Sequence, residues 1–351
     1  MSFLLVSPCL CKYNYGGVQL SGRIVRDRFL REKGEPGFAC LCYGVSEGIE
    51  HDPECTASKL ELARRARRFR TGCENLLFWH LGMLKLLPLL RRRHTRVYLF
   101  LHGVECWRTL DPITQHLLKS VDVFLVNSTF TWRRFTEENP RWTNSRHRIV
   151  SLGMGTPDTL LQASAQIPAA LMVGRLDRGE GYKGHREVIQ AWPLVLQRVP
   201  AAELWIAGTG NLEADLKRIV HETGMERRVR FFGKVSEEEK ERLIGDARCL
   251  VLPSKGEGFG LAYLEAMRCG RPCLTGNMDA GREVVNPPEG GLAVDPDDSN
   301  GLSEAIVRLL TAGHEWQQWS ATAQARYESQ FTSQHFEDRL LAAVDEAPNA
   351  Q

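Results

Sequence analysis

The sequence lacks several features that would assign it to a particular class of protein. None of its apolar runs approaches the roughly 20 residues that a membrane-spanning helix needs. Its apolar start, MSFLLVSPCL, has no basic region ahead of it, so this start favours a first strand over a signal peptide. With 351 residues, of which 43% are hydrophobic and 25% charged, the chain has the composition of a globular protein and the length for two domains.

The sequence also lacks any C-x-x-C pair among its ten cysteines. Two C-x-C pairs occur, Cys9 with Cys11 and Cys40 with Cys42, and several cysteines lie in apolar runs. This usage favours buried free thiols in a reducing cytoplasm over disulfides or a zinc site. We therefore expect a cytoplasmic protein.

The chain has little net charge, +2, but the charge is unevenly distributed. Residues 1–150 hold 24 Lys+Arg and 14 Asp+Glu, whereas residues 151–351 hold 21 and 29. The basic excess is concentrated from Lys59 to Arg70, KLELARRARRFR, and from Lys85 to Arg96, KLLPLLRRRHTR. A solvated helix face explains both stretches, and so does docking on an anionic membrane, at the inner face of the cytoplasmic membrane. No nucleic-acid motif accompanies the charge, so no nucleic acid is expected as a partner.

Apolar runs with strand character alternate with helical patterns along the whole sequence. This alternation predicts an α/β protein with two doubly wound, Rossmann-like parallel-sheet domains. The polar stretch 156–168 is the best candidate for a linker, which places the first domain at 1–155 and the second at 169–330.

A glycine-rich turn at 253–271, PSKGEGFGLAYLEAMRCGR, follows a buried apolar run and leads into a predicted helix. Glycines allow close approach of the backbone to a ligand, and a helix N-terminus suits an anion. Two carboxylates, Glu257 and Glu265, flank this turn and can accept hydrogen bonds from hydroxyls. The turn therefore suits a ligand that is both a phosphate and a polyol, although a helix N-terminus with a capping acid and one surface glutamate also fits.

A second loop, GRLDRGEGYKG, brings two cations to one turn after the predicted strand 169–173. Arg175 follows the strand, and Lys183 comes eight residues later among several glycines. A guanidinium fork matches phosphate oxygens and an ammonium adds a point charge, so the pair is typical of a diphosphate site. Ordinary surface charges are the alternative interpretation.

Two further patterns suggest other chemistry. Gly208 and Gly210 form a G-x-G after a strand, but Glu213 stands at the third glycine position and no acid follows the next strand, which excludes a dehydrogenase fingerprint. Asp295 and Asp297 form a D-x-D that invites a metal. We interpret this segment instead as the end of a strand and the cap of the helix near Asn300.

The pattern E-G-F-G-L-x-x-x-E, from Glu257 to Glu265, resembles the signature of the retaining GT-B glycosyltransferases of family four, which use nucleotide sugars. The G-R…K-G arrangement of the second loop is similar to that family too. The resemblance covers nearly the whole chain and is strongest at 171–294. It implies a GT-B fold with two domains facing a cleft, the donor bound mainly by the second domain, and the C-terminal segment 331–351 packed on the first.

The resemblance also implies roles for individual residues. Arg175 and Lys183 would stabilise charge on the diphosphate, Glu257 would bind donor-sugar hydroxyls, and Glu265 would hold the ribose. The remaining donor-binding positions are Gly174, Gly258, Phe259, Gly260 and Leu261 for sugar and phosphate, and Gly233, Lys234 and Val235 for the base.

In the first domain, the resemblance assigns a contact with the donor sugar to His102, which begins an H-G-x-E after a strand. Its ring could donate a hydrogen bond to a hydroxyl, but a histidine satisfied by backbone is the alternative. Gly16 and Gly17 resemble the glycine loop near donor phosphate and acceptor, although two glycines in an α/β turn are common.

The sequence thus predicts a retaining glycosyltransferase that moves a hexose from a nucleotide diphosphate sugar to an acceptor. The acceptor would be a lipid-linked saccharide or a precursor of a cell-surface polysaccharide or exopolysaccharide. No metal or other cofactor is expected, because Arg175 and Lys183 would neutralise the leaving diphosphate. The alternatives are a sugar-nucleotide epimerase or hydrolase on the same fold, and a non-catalytic nucleotide-sugar-binding protein at the membrane.

Overall fold

A computed structural model describes residues 2–11, 16–44, 55–69, 73–156, 168–311 and 313–345. The chain forms two compact units, an N-terminal unit of Met1–Met154 with Ser333–Gln351 and a C-terminal unit of Gly155–Thr332. Nearly all of the predicted linker, residues 157–167, lies outside the described residues, as do residues 12–15 ahead of Gly16 and Gly17.

The N-terminal unit contains a seven-stranded parallel sheet in the order β3-β2-β1-β4-β5-β6-β7. Its strands are β1 (Phe3–Pro8), β2 (Phe38–Tyr43), β3 (Cys55–Thr56), β4 (Asn75–Phe78), β5 (Arg96–Leu101), β6 (Val123–Val126) and β7 (His147–Ile149). Its helices are α1 (Gly17–Gly37), α2 (Lys59–Phe69), α3 (Leu87–Leu90), α4 (Pro112–Leu118), α5 (Thr129–Glu138) and α13 (Ser333–Asp345). Strands such as β1 are nearly continuous apolar runs because helices cover both faces of a parallel sheet.

The last helix, α13, belongs to the N-terminal unit. The Tyr98 hydroxyl of β5 donates to the carbonyl of Val344 at 2.8 Å, and the Arg31 guanidinium of α1 donates to the Glu337 carboxylate at 2.9 Å. The chain therefore closes the first sheet with a segment that follows the whole second unit in sequence.

The C-terminal unit contains a six-stranded parallel sheet in the order β10-β9-β8-β11-β12-β13. Its strands are β8 (Ala169–Val173), β9 (Glu203–Ala207), β10 (Val229–Gly233), β11 (Cys249–Leu252), β12 (Cys273–Gly276) and β13 (Gly291–Val294). Its helices are α6 (His185–Arg198), α7 (Glu213–Glu222), α8 (Glu237–Asp246), α9 (Leu261–Arg268), α10 (Gly281–Val285), α11 (Ser299–Leu310) and α12 (His314–Gln330).

The prediction of two α/β parallel-sheet domains is therefore confirmed. The strand β12 begins at Cys273, because the backbone N–H of Arg271 donates to the carbonyl of Ala266 at 2.8 Å and Pro272 has no N–H for the sheet. None of the helices in the described part of the chain combines the length and the apolar character needed to cross a membrane.

Each sheet reverses its strand order once, and this reversal defines where a ligand can bind. In the C-terminal unit the reversal lies between β8 and β11, and in the N-terminal unit it lies between β1 and β4. Open α/β sheets bind ligands beyond the carboxyl ends of the strands at such a switch point. The predicted cation loop follows β8 and the predicted glycine-rich turn follows β11, so both start at one switch point.

Candidate functional site

The two predicted cations of the C-terminal unit meet on one carboxylate. Arg175 follows β8, and Lys183 ends the short helical turn Arg178–Lys183 ahead of α6. Glu180, inside that turn, places its Oε2 atom 2.8 Å from the Lys183 Nζ atom and pairs its Oε1 atom with the Arg175 guanidinium. The turn thus gathers both positive charges at one point, with the Glu180 carboxylate between them.

The Glu180 side chain is 12% exposed, whereas the Arg175 side chain is 73% exposed. Glu180 has no predicted role in the sequence. Its spacing of three residues from Lys183 was the available signal, because side chains at i and i+3 are neighbours in a helical turn. Its contact with Arg175 depends on the path of the loop, which the sequence pattern does not specify.

The glycine-rich turn after β11 is held by a buried aspartate. One carboxylate oxygen of Asp279 accepts from the backbone N–H of Glu257 at 2.8 Å, and the other accepts from that of Gly281 at 3.0 Å. The N–H of Ala280 in turn donates to the carbonyl of Glu257 at 3.1 Å. Burial raises the pKa of Asp279 to about 7, against the lowering effect of the bond from Glu257. Asp279 has no predicted role in the sequence, and in the structure it anchors the turn.

Glu257 belongs to the same electrostatic neighbourhood as the two cations. Burial raises the pKa of its carboxyl, while Lys183 and Arg175 act to lower it and Glu180 to raise it. Among the residues that the structure describes, the Glu257 carboxylate forms no ion pair. Because its backbone is fixed and its oxygens have no cationic partner, Glu257 is suited to accept hydrogen bonds from hydroxyls.

The N-terminus of α9 lies at the end of the turn, as predicted. Gly260 precedes the first helical residue, Leu261, and has a φ of 89°. A Cβ atom at Gly260 would come within 2.5 Å of the Tyr263 ring, so this position requires glycine. Gly260 has no side chain to cap the helix, which leaves the helix end suited to an anion. The predicted donor residues Gly258 and Phe259 before it are buried.

Glu265 makes an ion pair that the sequence did not predict. Its Oε1 atom lies 2.8 Å from the Lys240 Nζ atom, and Lys240 also pairs with Glu237 at 2.7 Å. Burial disfavours the charged forms of both partners, and it raises the pKa of Glu265. Burial alone would lower the pKa of Lys240, but the carboxylates of Glu265 and Glu237 more than offset this effect, so the pKa of Lys240 is raised. Lys240 therefore lies beside the carboxylate to which we assigned the ribose.

The backbones at three neighbouring strand ends come very close together. The N–H of Gly208, after β9, donates to the carbonyl of Gly233, at the end of β10, at 2.8 Å. A Cβ atom at Gly208 would overlap the carbonyl oxygen of Gly174, after β8. The loop predicted to bind the base, from Gly233 to Val235, thus begins next to the loop after β8 that is predicted to bind the diphosphate. Lys234 in the first of these loops is exposed.

In the N-terminal unit, His102 follows β5 and is buried. Its Nε2 atom lies 2.6 Å from the carbonyl oxygen of Trp79, and because a carbonyl only accepts, Nε2 carries the proton and donates. Burial lowers the pKa of His102 to about 4, so the ring is neutral at pH 7. The Nδ1 atom of the ring is therefore a hydrogen-bond acceptor. The sequence had suggested a ring that donates.

The H-G-x-E motif is explained by a local hydrogen bond. The Glu105 carboxylate accepts from the backbone N–H of His102 at 2.6 Å, and the Asn127 amide donates to the His102 carbonyl at 2.6 Å. The histidine is thus fixed on three sides at the carboxyl edge of the sheet. Gly16 and Gly17 lie at the start of α1 and are exposed.

The D-x-D segment acts in capping, as interpreted. The Asp298 carboxylate accepts from the backbone N–H groups of Asn300 and Gly301 at 3.1 and 3.0 Å, at the start of α11. Asp297 pairs with Lys255 at 2.6 Å.

Residues 167–312 match the family model of glycosyl transferases group 1. A GDP-mannose-dependent monoacylated alpha-(1-6)-phosphatidylinositol monomannoside mannosyltransferase of Corynebacterium glutamicum is 28% identical over 266 residues, which cover 70% of this chain and 69% of the relative.

Solved structures share the fold at low sequence identity. Anabaena Alr3699/HepE in complex with UDP-glucose has a TM-score of 0.76 at 16% identity, with 98% of this chain and 99% of that chain covered. The TarM structure from S. aureus, with Fondaparinux, alpha-GlcNAc-glycerol and UDP, has a TM-score of 0.66 at 13% identity. The match covers 78% of this chain and spans 55% of TarM, which is longer. Taken together, the matched domain, the mannosyltransferase relative and the two sheets show that the chain is a glycosyltransferase with the GT-B fold.

Proposed function

We propose that the chain transfers mannose from GDP-mannose to a lipid-linked saccharide, with retention of the anomeric configuration. The observation that carries the proposal is the meeting of Arg175 and Lys183 on one carboxylate beside Glu257, at the switch point of the C-terminal sheet. The mannosyltransferase relative supports the choice of donor and acceptor, since it is a GDP-mannose-dependent enzyme that acts on a phosphatidylinositol mannoside.

In this proposal the diphosphate of the donor takes the place of the Glu180 carboxylate. Both present an anionic oxygen pair, and a diphosphate offers more charge and more acceptors to the Arg175 fork and the Lys183 ammonium. As the glycosidic bond loosens, negative charge grows on the leaving diphosphate. Cations already held at that point stabilise the transition state more than the ground state. The same pair makes a divalent metal unnecessary.

The remaining groups bind the rest of the donor. The Glu257 carboxylate accepts hydrogen bonds from mannose hydroxyls, and the start of α9 at Gly260 faces a phosphate. Glu265 holds the ribose hydroxyls, with Lys240 acting to lower the pKa of its carboxyl against the effect of burial. The loop from Gly233 to Val235 carries the base. In the N-terminal unit, the neutral ring of His102 leaves its Nδ1 atom as an acceptor for a hydroxyl.

Retention follows from attack on the same face as the departing group, with the leaving phosphate taking the proton of the acceptor hydroxyl. Glu257 then acts as a binding residue and not as a nucleophile. This assignment predicts an α-linked product from the α-linked donor.

A lipid-linked acceptor requires access to a membrane surface, and the helix α2 supports such access. Leu60 is 82% exposed at its start, while Leu62 and Ala66 face the core. Arg67, on the outer face, adds positive charge, and Glu61 pairs with Arg65 at 2.9 Å. An exposed leucine beside arginines suits the boundary of an anionic bilayer.

The test is an assay of the purified chain with GDP-mannose, UDP-glucose and ADP-glucose, each with and without a phosphatidylinositol mannoside acceptor. We expect transfer of mannose from GDP-mannose only when acceptor is present, with an α linkage by proton NMR. Conversion of a nucleotide sugar without acceptor would show an epimerase or hydrolase instead. A β-linked product would overturn retention alone.

A further inference from the structure

A basic cavity lies at the opposite edge of the N-terminal sheet from His102. It has a volume of about 350 Å³, and its lining residues are Arg91, Arg93, His94, Thr95, Arg96, Asp122, Val123 and Arg146. These residues lie where β5 and β6 begin and just ahead of β7. Because the six residues of β5 separate this edge from His102, the cavity lies about 20 Å from the predicted sugar contact.

The register of the sheet brings these residues together. Tyr98 of β5 pairs with Val123 of β6, and Phe124 of β6 pairs with His147 of β7. The N–H of Phe124 also donates to the carbonyl of Arg146 at 2.9 Å. The amino ends of three neighbouring parallel strands thus meet at one place, each with an arginine or an aspartate next to it.

The arginine turn ahead of β5 is structurally fixed. The buried Thr95 hydroxyl donates to the carbonyl of Cys73 at 3.1 Å and accepts from the N–H of Arg92 at 3.2 Å. The N–H of Arg91 donates to the carbonyl of Leu87 at 2.9 Å. Arg91 and Arg93 are therefore presented by a defined backbone and not by a loose loop.

The charge of the cavity is strongly positive. Four guanidinium groups line it, and Asp122 is the one carboxylate among the lining residues that the structure describes. The Oδ2 atom of that carboxylate accepts a hydrogen bond from the backbone N–H of Val97 at 2.7 Å. Four guanidinium groups beside one carboxylate leave an excess of positive charge, which favours an anion with several charged oxygens.

We propose that this cavity binds a phosphate monoester, the chemistry shared by a phospholipid head group and a soluble sugar or glycerol phosphate. Its volume lies at the lower end of small-molecule sites, about 300 Å³ and above, and planar guanidinium forks match phosphate oxygens in pairs. The cavity shares no residue with the proposed donor site, and its function does not depend on the transferase reaction.

The sequence supplies a matched control for this site. Arg92 stands between Arg91 and Arg93 on the same turn and is exposed, but it does not line the cavity. Arg92→Gln and Arg93→Gln remove the same charge one residue apart. A diffuse basic surface responds equally to the two substitutions, whereas a built cavity responds to Arg93→Gln.

The experiment is isothermal titration calorimetry with sn-glycerol 3-phosphate, with saturating GDP present to occupy the donor site. A second arm measures co-sedimentation with phosphatidylcholine vesicles, with and without 10% phosphatidic acid. The proteins compared are the unsubstituted chain, Arg93→Gln, Arg146→Gln and Arg92→Gln. Their thermal unfolding is recorded first. If Arg146→Gln is unstable, the comparison of Arg93→Gln with Arg92→Gln tests the proposal by itself.

We expect Arg93→Gln and Arg146→Gln to weaken binding about tenfold each, the loss of one charge-assisted contact, and Arg92→Gln to change it less than twofold. Binding of the soluble ester in this pattern identifies a soluble ligand, and the same pattern on phosphatidic acid vesicles alone identifies a lipid head group. Equal effects of Arg92→Gln and Arg93→Gln, or no binding in either arm, would overturn the proposal. Neither result would affect the activity assay with GDP-mannose.

Discussion

Glu180 determines how the two cations of the donor site behave before a donor binds. It lies within ion-pair distance of both Arg175 and Lys183, so the positive charges are already offset in the chain on its own. An incoming diphosphate must displace this carboxylate, which costs binding free energy. The carboxylate also prevents two like charges from facing each other without a partner.

We therefore predict that Glu180→Gln binds GDP more tightly than the unsubstituted chain, by about tenfold, because the competing charge is gone. Calorimetric titration with GDP measures the change. Glu222→Gln, which removes an exposed acid paired with Arg218 on α7, is the matched control and should leave GDP affinity unaltered. Equal or weaker GDP binding by Glu180→Gln would refute the competition.

Much of the site could be predicted from sequence because its residues lie close together in the chain. Glu257 and Glu265 share one turn and helix, and Arg175 and Lys183 share one loop. Their partners could not be predicted in the same way. Asp279 reaches the turn from the end of another strand, and Lys240 reaches Glu265 from another helix, so these contacts exist only once the sheet is assembled.

The buried Asp279 makes stability depend on pH with a definite sign. Its pKa is about 7 in the folded chain against an ordinary value of 3.8, so the folded state binds the proton more tightly. Its contribution to stability is present at low pH and is lost as pH rises through about 7.

We predict that Asp279→Asn gains stability relative to the unsubstituted chain by about 2 kcal/mol between pH 5 and pH 7, with little further change above pH 8. Urea unfolding of both proteins at several pH values measures the difference. The substitution also removes one hydrogen-bond acceptor from the turn, but this loss is the same at every pH and does not change how the difference in unfolding free energy depends on pH. A difference in unfolding free energy that is independent of pH would contradict the assignment.

At the level of elements, the glycine-rich turn depends on a backbone geometry that few residues tolerate. Gly260 has positive φ and faces the ring of Tyr263, whose hydroxyl donates to the Leu252 carbonyl of β11 at 2.7 Å. The ring cannot move away without breaking the link between α9 and β11.

Gly260→Ala should accordingly destabilise the chain by about 1–3 kcal/mol and raise the KM for the donor, since strain and a displaced ring add together. Gly313→Ala is the control, because a Cβ atom at Gly313 has no neighbour within 4 Å. Chemical unfolding and donor titration would reveal both effects. Equal unfolding free energies for the two variants would show that the turn accommodates a side chain.

At the scale of the whole molecule, charge is divided between the two halves of the sequence. The N-terminal half holds the excess of arginine and lysine, and in the structure that excess includes both the outer face of α2 and the cavity at Arg93. The sequence showed the excess but not its division into a helix face and a cavity, because the cavity also needs Arg146, fifty residues beyond the arginine turn.

We predict that Arg67→Gln weakens binding to vesicles with anionic lipid about fivefold at low salt, near 1 kcal/mol for one charge. Arg227→Gln, an exposed arginine of the C-terminal unit, is the control and should have no effect. Vesicle co-sedimentation at two salt concentrations measures both. If Arg67→Gln bound the vesicles as tightly as the unsubstituted chain at low salt, α2 would not be part of the membrane-binding surface.

The central claim is that Arg175 and Lys183 carry the chemistry by stabilising charge on the leaving diphosphate. The most direct measurement is the turnover number of Arg175→Ala and Lys183→Ala at saturating GDP-mannose, with unfolding curves to show that both variants are folded. We predict that kcat falls at least a hundredfold in each variant, a loss of about 2.7 kcal/mol of transition-state stabilisation. A kcat near that of the unsubstituted chain, with only KM raised, would mean that the two cations bind the donor but do not accelerate its reaction.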